Sequence, residues 1–204
     1  FVRDGKVVLA TGNSETALTD VSAIPLTYAG RVAFQIENVL AAVATGWALG
    51  ISNDLIRAGI VTFDVGQVDV PGRFTLFEHH GATVVVDDAH NAPALEALAA
   101  ALDRFPSERR MLVFGAGVQR RDEDLIEQGK VIGATFDRVF LCEDQSVKRE
   151  LPETEARALL KKGLYEGRRV TKIIDEGARR AAVEAALAQL VAGDLLVLQC
   201  DEGS

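Results

Sequence analysis

Cysteine is scarce in this 204-residue chain: there are two, Cys142 and Cys200, each in an apolar run that reads as a strand. That supports neither a disulfide framework nor a CxxC metal site, and both read as buried, reduced thiols. No apolar stretch approaches the roughly 18 residues of a membrane-spanning helix. No basic run offsets the formal net charge of −8, which argues against nucleic acid or an anionic membrane as a partner. Also missing is a G-x-x-x-x-G-K-[ST] phosphate loop, the usual cradle for a nucleotide's phosphates. The opening FVRDGKVVLA is neither a signal peptide nor a start at methionine, so an excised segment is expected.

What is present suits a globular α/β protein. Hydrophobic residues make up 48%, enough for a sizeable core, and charged residues 25%. Residues 1–28 read as short strands and turns. Asp4-Gly5 marks a hairpin, and Val21 to Leu26 is a further extended piece broken by Pro25. Residues 31–49 read as one long helix, with Val32, Ile36, Val39, Leu40, Val43 and Trp47 recurring at spacings of three and four. Asn53 or Asp54 would cap a second helix through Ile60. Residues 61–73, punctuated by Gly66, Pro71 and Gly72, have loop character and mark a domain boundary.

Beyond it the pattern is regular. Phe74–Glu78 and Thr83–Val86 read as paired strands around His79-His80-Gly81. Helices follow at Ala94–Leu102, Asp122–Thr135, Glu153–Lys162 and Arg179–Leu190, and strands at Met111–Phe114, Arg138–Cys142, Val170–Ile174 and Leu195–Cys200. Such alternation predicts right-handed crossovers and a Rossmann-like, mainly parallel sheet with one antiparallel strand or hairpin, covered on both faces. Ligands of these sheets sit beyond the C-terminal strand ends. Those ends carry Asp87-Asp88-Ala89-His90-Asn91, Gly115-Ala116-Gly117, Glu143-Asp144 and Gln199-Cys200-Asp201-Glu202.

Several groups there could do chemistry, and each has a plainer alternative. An ionised Asp87 has only acceptor sites, as a ribose diol requires. His90 and Asn91 precede a helix N-terminus, which favours anions, although Asp88 or Asn91 would also serve simply as its cap. Arg73, beside Gly72, could grip a phosphate with two donors or lie solvated at the surface. Asn38, in the long helix, could meet an adenine edge or bond a neighbour. Arg120 and Arg121 could neutralise a phosphate or substrate carboxylate, or open a solvated helix. The His79-His80 pair reads as an exposed turn, not a zinc site.

The order of these motifs is more telling than any one. A helix GRxxFQxENVLAAxAxxWALG, then PGRF, then VDxAHN, then GAGxxRRDED resembles the Mur ligase superfamily over nearly the whole chain, and within it the cyanophycin synthetase branch. Phe34-Gln35 replace the His-Asn usual in muramyl-peptide and folate-type ligases. Asp88, Ala92, Val118 and Lys148-Arg149-Glu150 stand where the family usually has Tyr, Pro, Asp and Arg-Gly-Arg.

The resemblance implies that residues 1–72 are the tail of a central ATPase domain and 73–204 the C-terminal domain. It implies a cytoplasmic ATP- and Mg²⁺-dependent amide ligase that activates a carboxylate as an acyl phosphate, adding arginine to aspartate side chains. Asn38 would meet adenine, Arg73 the phosphate or ribose and the charge of phosphoryl transfer, and Asp87 the ribose hydroxyls. The C-terminal domain would swing at Pro71-Gly72-Arg73. Expected partners are the remaining domains of the same ligase, which would supply most Mg²⁺ ligands, and an amino acid or peptide substrate. A homo-oligomer stays open, as does a non-catalytic assembly role or a Mur-type ligase with another substrate. The fragment alone is expected to show no turnover.

Overall fold

The computed structural model describes residues 1–63, 72–115, 121–143 and 153–200, with side chains from 155 onward in the last of these segments. The chain divides into two compact units, Phe1–Asp69 and Val70–Ser204.

The first unit opens with a three-stranded antiparallel sheet of β1 (Val2–Arg3), β2 (Lys6–Thr11) and β3 (Ser14–Asp20). Asp4 and Gly5 both have positive φ, 49° and 73°, the backbone that a tight two-residue hairpin needs. Val21–Ala23 and Pro25–Thr27 form two 3₁₀ turns, not the extended piece expected there. The reason is local: the buried Thr27 hydroxyl lies 2.8 and 2.9 Å from the carbonyls of Val21 and Ile24. It also accepts from the Gly30 N–H at 3.0 Å, so one side chain gathers the whole segment.

Next come α1 (Ala33–Ala48) and α2 (Asn53–Thr62). Val39 and Val43 from α1 and Ile56 from α2 bury against Val7, Leu9, Leu18, Val21 and Ile24. The cap of α2 is Ser52, whose Oγ accepts from Leu55 N, so neither Asn53 nor Asp54 caps it. Glycine at 46 lets the two helices approach, since a β-carbon there would lie 3.3 Å from the Ile56 side chain.

The second unit holds a six-stranded sheet. Its elements are β4 (Thr75–His79), β5 (Ala82–Asp87), α3 (Ala92–Leu102), β6 (Arg110–Gly115), α4 (Asp122–Thr135), β7 (Arg138–Cys142), α5 (Glu153–Glu166), β8 (Lys172–Asp175), α6 (Arg179–Leu187) and β9 (Leu195–Gln199). The spatial order is β4-β5-β9-β6-β7-β8. Only β4 is antiparallel, joined to β5 through His80 and Gly81 at positive φ. The remaining pairings are parallel, as the alternation predicts. On one face α6 buries Ala182 and Ala186 against Val84, Met111, Val113, Phe140 and Leu196. Because side chains alternate along a strand, the buried Val85, Leu112, Val139, Leu141 and Val197 serve the other face.

Helices α4 and α5 touch backbone to backbone. A β-carbon on Gly163 would lie 2.0 Å from the Ile126 carbonyl oxygen, and one on Gly133 2.1 Å from that of Leu164. This explains why α5 runs past the expected end at Lys162: Gly163 is there to admit α4, not to stop the helix. Similarly, β8 begins two residues later than expected because Arg169 and Val170 donate their N–H groups to the Gly133 carbonyl at 2.9 and 3.1 Å. The cap position of α4 is Arg121, not Asp122, which falls in the first turn with Glu123 and Asp124 and there favours the positive end of the helix dipole.

Candidate functional site

The parallel register collects the strand ends along one edge. Asp87 pairs with Gln199, and Gly115 with Cys142. Gln199 is buried, and its Oε1 accepts from Gly115 N at 3.1 Å, joining the ends of β9 and β6. Arg179, the first residue of α6, donates from Nη1 to the Gln199 carbonyl. These two were not assigned roles from sequence. Nothing but an arginine opening a helix after a strand marked Arg179, and no periodicity distinguishes a structural Gln199.

Asp87 ends β5, beside β9. Its Oδ1 accepts from Ala89 N at 2.9 Å, and its carboxylate also accepts from Phe74 N. Its own carbonyl accepts from Cys200 N at 3.1 Å. Burial pushes the Asp87 carboxyl up to about 6, against the pull of the Ala89 and Phe74 amides; Asp88 adds to the rise and Arg73 opposes it. Desolvation of the charged form thus outweighs two hydrogen bonds that favour it. Arg73, expected to share a site with Asp87, is close enough to act on its charge and is exposed.

The neighbours are arranged by backbone contacts. Asp88 N donates to the Gly72 carbonyl at 2.9 Å. His90 turns back, its Nδ1 2.7 Å from the Asp88 carbonyl and 3.5 Å from Asp88 Oδ1. Asn91 caps α3, accepting from Ala94 N at 2.9 Å, so of the two caps considered it is Asn91 that serves. The exposed Arg121 is held by Asp124 through two bonds of 3.0 and 2.9 Å, an embrace within its own helix that raises its pKa. Arg120, with Ala116, Gly117 and Val118, lies outside the described residues, as do Pro71, Asp144, Lys148-Arg149-Glu150, Asp201 and Glu202.

Asn38 lies on α1 of the first unit, exposed, its Nδ2 donating to Gln35 Oε1 at 3.0 Å. That bond occupies one donor and leaves its own carbonyl oxygen turned to other uses. The His79-His80 rings stack edge to face at 4.3 Å beside the N-terminal end of β5, at the opposite edge of the sheet from Asp87. Among the described residues no group of three His, Cys, Asp or Glu side chains is placed to hold a metal ion. No described helix is long and apolar enough to cross a membrane.

In an open, mainly parallel α/β sheet the strand ends that carry Asp87 and Gly115 are where ligands ordinarily bind. Residues 72–200 match the family described as Mur ligase, glutamate ligase domain, and the chain belongs to that family. Among curated proteins it is similar to the cyanophycin synthetase of Trichormus variabilis (strain ATCC 29413 / PCC 7937), 34% identical over 176 residues, covering 85% of this chain and 19% of the relative. The cyanophycin synthetase of Synechocystis sp. (strain ATCC 27184 / PCC 6803 / Kazusa) is 32% identical over 197 residues, 95% of this chain and 22% of the relative. The UDP-N-acetylmuramoyl-L-alanyl-D-glutamate--2,6-diaminopimelate ligase of Geobacter metallireducens (strain ATCC 53774 / DSM 7210 / GS-15) is 37% identical over 134 residues, 65% of this chain and 25% of the relative. The chain therefore spans between 19% and 25% of the length of these relatives. Its fold is shared with E. coli FolC in complex with ADP, at a TM-score of 0.70 and 22% identity over 98% of this chain and 42% of that one.

Proposed function

We propose that this chain is the C-terminal part of an ATP-dependent amide-bond ligase, residues 1–72 being the end of its central domain and 73–204 its C-terminal domain. The observation that carries the reading is that Arg73 lies close enough to act on the charge of Asp87 at the C-terminal end of a parallel strand. A carboxylate there can accept from a ribose diol, while the guanidinium beside it can offset charge that develops during phosphoryl transfer. Asn38 would meet adenine, and His90 and Asn91 would border the nucleotide. Arg121 and Arg120 would meet a substrate anion, for which Arg121 would have to release Asp124. Mg²⁺ would be held mainly by other domains.

In the reaction, a substrate carboxylate is activated as an acyl phosphate and an amine displaces the phosphate. On the resemblance to the cyanophycin synthetase branch, the amine would be arginine and the acid an aspartate side chain. The first unit's surface suits contact with a further protein surface. Phe1, Val2, Trp47, Leu49, Ile51, Leu55 and Phe63 are all exposed, Leu49 to 74% and Leu55 to 66%. Apolar side chains exposed in such number on a small unit are suited to meeting another protein surface.

The experiment is product analysis on the full-length ligase with an aspartate-rich primer, arginine and ATP, alongside its Arg73→Ala and Asp87→Ala variants. Arginine incorporation that falls at least a hundredfold in both variants is the expected result. Activity only with other amino acids would redirect the reading to a peptide ligase of the diaminopimelate type. Nucleotide binding unchanged in Asp87→Ala would remove the site assignment. The 204-residue chain alone should show no turnover.

A further inference from the structure

Gly72, Arg73 and Phe74 form a corner in which one residue with a β-carbon adopts the left-handed backbone. Gly72 has φ +82° and Phe74, a residue with a β-carbon, has φ +56°. Positive φ at a non-glycine residue persists only where surrounding structure enforces it. Here it is enforced from several sides. The Gly72 carbonyl accepts from Asp88 N at 2.9 Å. The α-carbon of Gly72 faces Cys200, with no room for a side chain. Phe74 is fully buried, its ring 5.9 Å from that of Phe105. Its N–H is taken by the Asp87 carboxylate, whose Oδ1 also accepts from Ala89 N.

We infer that Asp87 is a positioning residue that clamps this corner to the end of β5, making Arg73 a fixed part of the second unit and not a pivot. Both residues flanking Arg73 are tied to the β5 end, one through Asp88 N and the other through the Asp87 side chain. The exposed guanidinium is thereby presented from a backbone that cannot swing independently, so any rotation of the second unit carries Arg73 and Asp87 together. The bonds to Ala89 and Phe74 use two of the carboxylate's several acceptor sites, so clamping is compatible with a ribose contact but does not depend on it.

The test uses the 204-residue chain without nucleotide, so it stands or falls separately from the ligase reading. Amide hydrogen exchange and limited trypsin digestion are compared for wild type, Asp87→Ala and Asp87→Asn. Met111 in the sheet centre serves as the control amide and Arg104 as the control cleavage site. In Asp87→Ala, exchange at Phe74 and Ala89 should rise at least tenfold and cleavage after Arg73 at least fivefold, with both controls unchanged. In Asp87→Asn, whose side chain keeps a single acceptor oxygen, at least one of the two amides should lose protection. A purely packing role for Asp87 would leave one further readout unmoved: in wild type the Phe74 and Ala89 amide shifts should titrate together and in Asp87→Asn stay flat. Among the described residues the charged or titratable groups around that carboxylate are Asp88, Arg73, Cys200 at the adjoining strand end and, against Asp88, His90. Phe74 protection equal to wild type in Asp87→Ala overturns the inference. Should that variant not fold, full protection of both amides in Asp87→Asn does so.

Discussion

Gly72 and Cys200 meet so closely that a β-carbon on Gly72 would lie 2.2 Å from Cys200 Sγ. The two belong to opposite ends of the second unit's sequence and come together because β9 runs beside β5. Gly72→Ala therefore faces both a left-handed backbone and a steric overlap. It should cost roughly 2–4 kcal/mol, combining the penalty for a β-carbon at positive φ with overpacking. In urea titrations the double variant with Cys200→Ala should recover the steric share but not the conformational one. Equal stabilities of single and double variants would show that the thiol simply rotates away.

Asp87 makes the pH dependence of stability asymmetric. Its folded-state carboxyl titrates near 6, above the ordinary 3.8, so the folded chain holds the proton more tightly than the unfolded chain. Its contribution is complete below about pH 4 and is lost as pH rises through 6, by up to about 3 kcal/mol at roughly 1.4 kcal/mol per unit. Subtracting the denaturation profile of Asp87→Asn from that of wild type should isolate this downward step. A difference curve that is flat, or that rises with pH, would contradict it.

Asp137 should behave in the opposite sense. Burial pushes its carboxyl up, but Arg169, the Arg110 N–H and the nearby guanidinium charges outweigh that and hold it below the ordinary value. It accepts from Arg169 at 3.1 and 3.0 Å and from Arg110 N at 2.8 Å. Its stabilisation is present above about pH 4 and fades as pH falls through the lowered value. Asp137→Ala should lower stability at pH 7 by about 1–3 kcal/mol, with the deficit shrinking in acid.

Two glycine substitutions should differ in sign. Gly163→Ala would drive a methyl into the Ile126 carbonyl at 2.0 Å and into the Gly129 α-carbon at 2.8 Å. A backbone neighbour cannot move aside, so a loss of at least about 3 kcal/mol is expected. Gly59, inside α2, would meet nothing within 4 Å, and Gly59→Ala should gain about 0.5–1 kcal/mol from helix propensity. Thermal melts of the two variants side by side decide the matter.

The elements legible in the sequence were those governed by short-range pattern. Period-2 and period-3.6 spacing located the strands and helices of the second unit, and the alternation βα gave parallel pairing. Asp87 and Arg73 could be nominated because strand ends and glycine corners are readable. The errors have two causes: a neighbouring side chain took over the backbone, as at Thr27 and Ser52, or a remote partner set the local outcome, as at Gly163. Thr27 turned Val21–Leu26 into 3₁₀ structure, Gly163 served a helix contact where a stop would look the same on paper, and Ser52 displaced Asn53 as a cap. The positive φ of Phe74 had no local signal at all, since its enforcers, Asp87 and Phe105, are distant in the chain.

The strand order carries a consequence for biosynthesis. β9 is synthesised after every other strand of its sheet, yet it occupies the gap between β5 and β6. Until residues 195–199 leave the ribosome, those two earlier strands have exposed, unpaired edges and no bonded neighbour in common. The nascent second unit is thus a sheet split down the middle, the state in which hydrophobic edges are most open to mispairing. Completion of this unit is a late, nearly all-or-none event, and a chain cut short just before Leu195 would be expected to aggregate, not to fold with one strand fewer.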